Sequence, residues 1–178
     1  LLASRKSKIV KEWKLADFKE VKTQHTALAV MRGMRSLKKA RCLQCHQIGM
    51  YGVNLGPDLL KTHEKYKGRK LLKQILEPSH EIHEKYRTYQ FDLSNGKTVT
   101  GFGIKETPTA YQVATNLLLP KQLTVVKKSE VDDKRVSKVS AMPEGMLNVL
   151  TREEILNLLS YLEVGGYKMP RHLKHKHR

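Results

Sequence analysis

The sequence predicts a mainly α chain with a small antiparallel β-sheet inserted into it, an α+β class. Three observations predict it. Apolar residues recur at helical spacing near both ends of the chain. A central block is rich in β-branched and aromatic residues and is broken by Ser94-Asn95-Gly96. The apolar share of 39% over 178 residues is ordinary for a globular chain with one core. The organisation expected is a single domain over 1–178, an inserted β subdomain over 86–128, and a basic, mobile tail over 167–178.

The elements follow in order. "LADFKEV" from Leu15 predicts a short first helix with Asp17 near its start. "HTALAVMRGMRSLKKA" predicts a longer one, with Ala27, Leu28, Met31, Met34 and Leu37 inward and Gly33 a slight weakness. "MYGVNLGPDLL" reads as loop, and "GRKLLKQILEPS" as a helix burying Leu71, Leu72, Ile75 and Leu76 before Pro78 stops it. The runs "YRTYQFDL", "KTVTGFGIK", "AYQVATNLLL" and "KQLTVVKK" predict strands. Asn95-Gly96 marks the first hairpin, because both residues tolerate positive φ. Thr151 and Glu154 form a capping box, and Leu150 and Ile155 a staple. The stripe Ile155, Leu158, Leu159 and Leu162 then runs to Gly165-Gly166. There is no internal repeat.

Charge narrows the partners. Thirty-four basic residues against 17 acidic ones give +17, which attracts anions and speeds encounter with acidic partners at low salt. The cations are spread along the chain, aromatics are only 6%, and no nucleic-acid-binding motif is present, so nucleic acid is disfavoured. No run approaches the 20 or so apolar residues of a membrane span. The chain starts at Leu1, and "LLASRKSK" lacks a signal peptide's apolar segment, so a processed or excised piece is expected.

The strongest signal is C-L-Q-C-H, Cys42 to His46. A two-residue gap spaces two thiols for thioether bonds to adjacent vinyl groups of a haem, and the following imidazole falls at the iron. Two rivals compete. A structural zinc needs four ligands, and beyond the two cysteines only scattered histidines (His25, His63, His80, His83) are on offer. A thiol redox pair wants a βαβ setting, which the helix-rich flanks do not supply. One covalently bound haem c is therefore expected, with Cys42, Cys45 and His46 holding it. Trp13 and Tyr51 read as packing aromatics before haem contacts, and Lys121 as an exposed lysine before a propionate partner.

An iron held by His46 has a second axial position, and its occupant sets the chemistry. Among six Met and eight His, Met142 and the His80/His83 pair are the candidates. Met142 lies in "SAMPEGML", a Pro- and Gly-interrupted loop before the last helix. Met31 and Met34 read as helix core, and Met169 as tail.

These motifs together resemble a family. "CLQCHQIGMYGVNLGPDLL" resembles the attachment segment of class I cytochromes c, with Gly56-Pro57-Asp58-Leu59 as its Gly-Pro-x-Leu. With "WKLADF", "LLKQILEPSHEIHEKY", "DLSNGKTVTG" and "SAMPEGMLNVLTREEILNLLSYL", residues 11 to 163 look like the planctomycete-type haem-binding domain, which often ends large secreted proteins. The resemblance implies a class I cytochrome c-like helical fold with the sheet inserted before the distal Met loop. It also implies that the Pro57 carbonyl accepts a hydrogen bond from His46 Nδ1, and that Met142 is the distal ligand. The basic charge and His-rich tail are not features of that family.

The function expected is single-electron transfer with His46/Met142 ligation and no catalytic residues. The alternatives are a haem-based sensor or peroxidase-like enzyme with an open or labile distal site, and a β insertion that binds acidic polymer or carbohydrate. The expected partner is an acidic redox protein or a fused oxidoreductase domain. The expected compartment is the periplasm or its equivalent, since haem is attached outside the cytoplasm.

Overall fold

Two apolar clusters, one built by helices and one by a sheet, organise the chain. The computed structural model describes residues 8–116, 119 and 122–166. The tail over 167–178 and Lys121 lie outside the described residues.

Helix α1 (Ala27–Lys39) starts at Thr26, whose hydroxyl caps Ala29 N, and carries Lys38 and Lys39 in its last turn. Helix α2 (Gly68–Leu76) buries Leu71, Leu72 and Leu76, with Ile75 half-buried at its edge. Helix α3 (Arg152–Glu163) opens on the Thr151/Glu154 capping box. Its stripe Ile155, Leu158, Leu159 and Leu162 packs with Leu37, Leu72, Leu147 and Leu150 into the larger cluster. Helices α1 and α3 approach closely at Gly33: a Cβ there would overlap Asn157 O and lie 2.6 Å from Tyr161 Cβ.

The sheet has five antiparallel strands, β3 (Tyr89–Leu93), β4 (Thr98–Glu106), β5 (Ala110–Ala114), β6 (Leu123–Lys127) and β7 (Val131–Val136), in the order β6-β5-β4-β3-β7. Four strands form a meander, and β7 returns to the free edge of β3, with Phe91 opposite both Val99 and Lys134. The sheet curls strongly. Strands β5 and β7 are three intervals apart, about 14 Å if flat, yet Lys134 Nζ lies 4.3 Å from the Tyr111 ring centre. Phe91, Val113 and Val126 fill the concave side. A separate two-stranded hairpin, β1 (Gln47–Ile48) with β2 (Tyr51–Gly52), follows the cysteine motif.

The architecture corrects the expected one: the chain is not mainly α and does not have the helical class I cytochrome c-like fold. Among the described residues there are three α-helices, of 13, 9 and 12 residues, beside seven strands. Part of the cause lies at the N-terminus. "LADFKEV" forms only a 3₁₀ turn, Leu15–Asp17, being too short to repay helix nucleation. Phe18 is buried, and the chain beyond it runs along α3, bonded through Gln24 N to Ser160 Oγ at 3.1 Å. The rest of the cause is β7, whose "VDDKRV" is charged and exposed and lacks the alternation of a half-buried strand. The sheet therefore reaches Val136 rather than ending at 128.

The buried face of α1 is also rotated from the expected one. Of the residues expected inward, Leu37 is buried and Met34 packs half-buried on the core, whereas Ala27, Leu28 and Met31 face solvent and Ala29, Val30, Gly33 and Ser36 complete the inward face. Among the described residues no helix is long and apolar enough to cross a membrane.

Candidate cofactor site

Cys42, Cys45 and His46 leave the end of α1 through a tight backbone turn. Arg41 adopts a left-handed conformation at φ 58°, which ends the helix and opens the 3₁₀ turn Cys42–Gln44. Cys45 N and His46 N both donate to Cys42 O, at 3.2 and 2.9 Å. Two thiols and an imidazole thus leave one short turn.

The next segment folds back over it. After the hairpin, Leu55 N and Gly56 N donate to Cys45 O at 3.0 and 2.9 Å, and Val53 N donates to His46 O at 3.2 Å. Gly52, at φ +93°, sits so close to His46 O that a Cβ would overlap it. Gly56 lies flat against the imidazole: a Cβ there would fall 2.6 Å from His46 Cε1 and 2.7 Å from Nδ1. Only a glycine leaves the ring its place. Pro57 O then lies 3.0 Å from His46 Nδ1. A carbonyl can only accept, so Nδ1 carries the proton and donates it, which leaves the lone pair on Nε2.

Electrostatics keep this arrangement neutral. Burial lowers the His46 pKa from its ordinary value, and the Pro57 bond opposes that only in part. Burial pushes the Cys42 thiol up to about 11, and burial raises Cys45 as well. Both cysteines are free and stay protonated near neutral pH. A nucleophilic redox pair needs the opposite shift. Among the described residues no group of three or more His, Cys, Asp or Glu side chains is arranged to hold a metal ion, so the zinc reading gains no ligand set.

Cys42, Cys45 and His46 therefore share one turn, and Pro57 meets His46 from the segment folded back over it. Met142 lies on another segment. It is half-buried, its N–H donates to Ser140 Oγ at 3.1 Å, and Ser140 N donates to Ser79 Oγ at 3.1 Å. Thr88 Oγ1 donates to Val139 O at 2.9 Å, so the loop before Met142 is tied to residues 79 and 88. His80 and His83 sit in that same stretch but are engaged: Lys73 Nζ lies 2.8 Å from His80 Nε2, and His83 Nδ1 accepts from Lys85 N at 3.2 Å. Trp13 packs on Phe18 and donates from Nε1 to Leu150 O at 2.9 Å, and Tyr51 is 77% exposed at the hairpin tip. His25 is bonded to Glu163, and His63 packs against Gly165.

The motif does not disclose Gly52 and Arg41 as parts of the site, and it places Gly56 in the attachment segment without showing that it packs on the His46 ring. The glycines were visible as loop formers; that one of them faces an imidazole is a tertiary fact. No protein-family model matches the chain, and no curated protein matches it.

Proposed function

We propose that the chain is a monohaem c-type cytochrome that passes single electrons, with thioether bonds from Cys42 and Cys45, His46 as proximal ligand and Met142 as distal ligand. When bound, the haem supplies a one-electron Fe(III)/Fe(II) couple. The chain's own residues do the rest. Cys42 and Cys45 offer S–H groups that add across vinyl double bonds, so both thiol hydrogens stay in the product and no oxidant is needed. Pro57 fixes the His46 tautomer, and Gly56 keeps the ring free to stand. The observation that carries the reading is this His46–Pro57–Gly56 arrangement, which supports an Nε2 lone pair on a neutral, oriented imidazole. The partner proposed is an acidic redox protein or a fused oxidoreductase domain, in an extracytoplasmic compartment.

Mass spectrometry of the chain produced in a cell that matures c-type cytochromes tests the attachment. The expected result is the mass of one added porphyrin, lost in C42A/C45A; an unmodified wild-type mass refutes it. Gly56→Ala is expected to lower haem incorporation about tenfold, the size of a lost outer-shell support. Met142→Ala is expected to remove the long-wavelength band of a sulfur-to-iron bond in the oxidised spectrum. If that band is present and survives the substitution, Met142 is not the ligand.

A further inference from the structure

We infer that the outward stripe of α1 is a docking face for an acidic helical surface of a partner protein. Leu28, Met31, Arg35 and Lys38 follow one another at spacings of three, four and three residues, so they line one side of the helix. That side faces solvent. Leu28 is 52% exposed and Met31 38%, and Arg35 and Lys38 are exposed as well. The solvent face of an amphipathic helix is mostly charged and polar. Here two large apolar side chains are followed by two cations.

The cations of α1 fall into two groups. Arg32 and Lys39 turn toward α3, where Glu153 and Glu154 hold them at 3.0 and 2.8 Å. Arg35, Lys38 and, just past the helix, Arg41 have no ion pair among the described residues. A place in the last turn, where cations complement the helix dipole, accounts for Lys38 but not for Arg35, Leu28 or Met31. The complementary surface presents apolar side chains beside Leu28 and Met31 and carboxylates beside Arg35, Lys38 and Arg41. A helix that repeats the same spacing meets all of these contacts at once.

The stripe also has a direction. It ends at Arg41, whose next neighbour is Cys42, so a protein docked on it borders the cysteine turn. The docking inference stands on α1 alone; that the docked protein is a redox partner rests on the haem reading.

The test uses the full chain and a synthetic helical peptide carrying two leucines followed by two glutamates at heptad spacing, with binding read by fluorescence anisotropy. R35E/K38E is expected to weaken binding about tenfold at low salt, an effect that shrinks as salt screens it. R35Q/K38Q is expected to weaken it less. L28S/M31S is expected to weaken it at both low and high salt. The control K97E/K138E makes the same charge change elsewhere and is expected to leave binding unchanged. Equal losses in the α1 and control variants would mean that net charge alone acts, and the inference fails. It fails too if the peptide does not bind but phosphatidylglycerol vesicles sediment the chain through the same residues. The same titration on C42A/C45A separates the two readings. Binding retained in that haem-free variant is expected, since α1 alone carries the docking face. A haem-loaded wild type that does not bind the peptide overturns the docking face and leaves the electron-transfer reading standing, while a wild type that binds the peptide but takes no haem overturns the electron-transfer reading alone.

Discussion

The helical and sheet halves of this chain are held by different means. The helical cluster joins the two ends of the described chain: Phe18 and Leu72 from one side pack with Leu147, Leu150, Ile155 and Leu159 from the other. The sheet centres on Phe91, Val113 and Val126, with Phe102, Ala110 and Ala114 also buried in its strands, all within one stretch between the helices, and partly buried aromatic and aliphatic side chains surround the centre. Its outer face is ionic, with Asp92 and Arg135 paired at 2.6 Å. Cys42, Leu43 and Ile48, which flank His46, lean on the helical cluster. The site therefore depends on long-range closure by the helices. The sheet contributes most directly by presenting the loop before Met142. Position in sequence hides this, because the sheet sits between the two proposed axial ligands.

Two substitutions break the comparison most sharply. Leu159→Ala removes a fully buried side chain of the helical cluster and is expected to cost about 4 kcal/mol. Native-state hydrogen exchange should show amide protection falling together in α1, α3 and the 42–57 turn. Phe91→Ala empties the centre of the sheet at a similar cost, but protection should fall over 89–136 and hold in the turn. If Phe91→Ala opens residues 42–57 as far as Leu159→Ala does, the two halves are a single cooperative unit and the contrast is wrong.

A sharper probe sits where α1 crosses α3. Alanine is the better helix former by about 1 kcal/mol, so propensity alone predicts that Gly33→Ala stabilises the chain. The added Cβ would overlap Asn157 O and press within 2.6 Å of Tyr161 Cβ, forcing the helices apart. Overpacking of this kind costs about 3 kcal/mol, which outweighs the propensity gain. A lowered denaturation midpoint is expected; a raised one would show that the crossing relaxes easily.

Gly33 also shows what the sequence could and could not disclose. Local signals read well. The Thr151/Glu154 box, the stripe on α3 and the Asn95-Gly96 turn each depend on neighbours a few residues away. The inward face of α1 reads only in part: Leu37 and Met34 pack on the core as expected, but the centre of the face lies elsewhere. Leu28 and Met31 are large and apolar, while Gly33 and Ser36 are small, so a hydrophobicity count turns the helix the wrong way. What decides the face is close approach to α3, and small residues permit that. Strand β7 escaped for the same kind of reason, since its pairing with Tyr89–Leu93 is set by the curl of the sheet. At the site, the cysteine spacing was legible from covalent chemistry alone. That Gly56 would lie against the His46 ring was not, because it depends on how residues 53–57 fold back.

The smallest expected effect concerns a buried carboxylate that the helical half has and the sheet lacks. Glu163, with its side chain 4% exposed, sits at the C-terminal end of α3, where the helix dipole disfavours a negative charge. Three donors offset this: Thr23 Oγ1 at 2.6 Å, His25 Nε2 at 2.7 Å and Gly68 N at 2.6 Å. They tie the N-terminal segment and α2 to α3. Burial pushes the Glu163 pKa up, but these donors outweigh it and hold the group below the ordinary 4.5. A folded value below the unfolded one means that the stabilisation is present above about 4.5 and is lost as pH falls through the folded value. Glu163→Gln keeps the shape but loses the charge, and is expected to cost about 2 kcal/mol at neutral pH, the scale of hydrogen bonds to an ionised group. The gap between variant and wild type should close as the pH drops below 4.5, seen in urea midpoints over a pH series. Asp92 on the sheet is also held low, by Gln90 and Thr98, but in solvent. Asp92→Asn should leave the acid limb of stability nearly unchanged, because water screens what the helical half shields. Parallel pH curves for wild type and Glu163→Gln would remove the carboxylate from any part in joining the three segments.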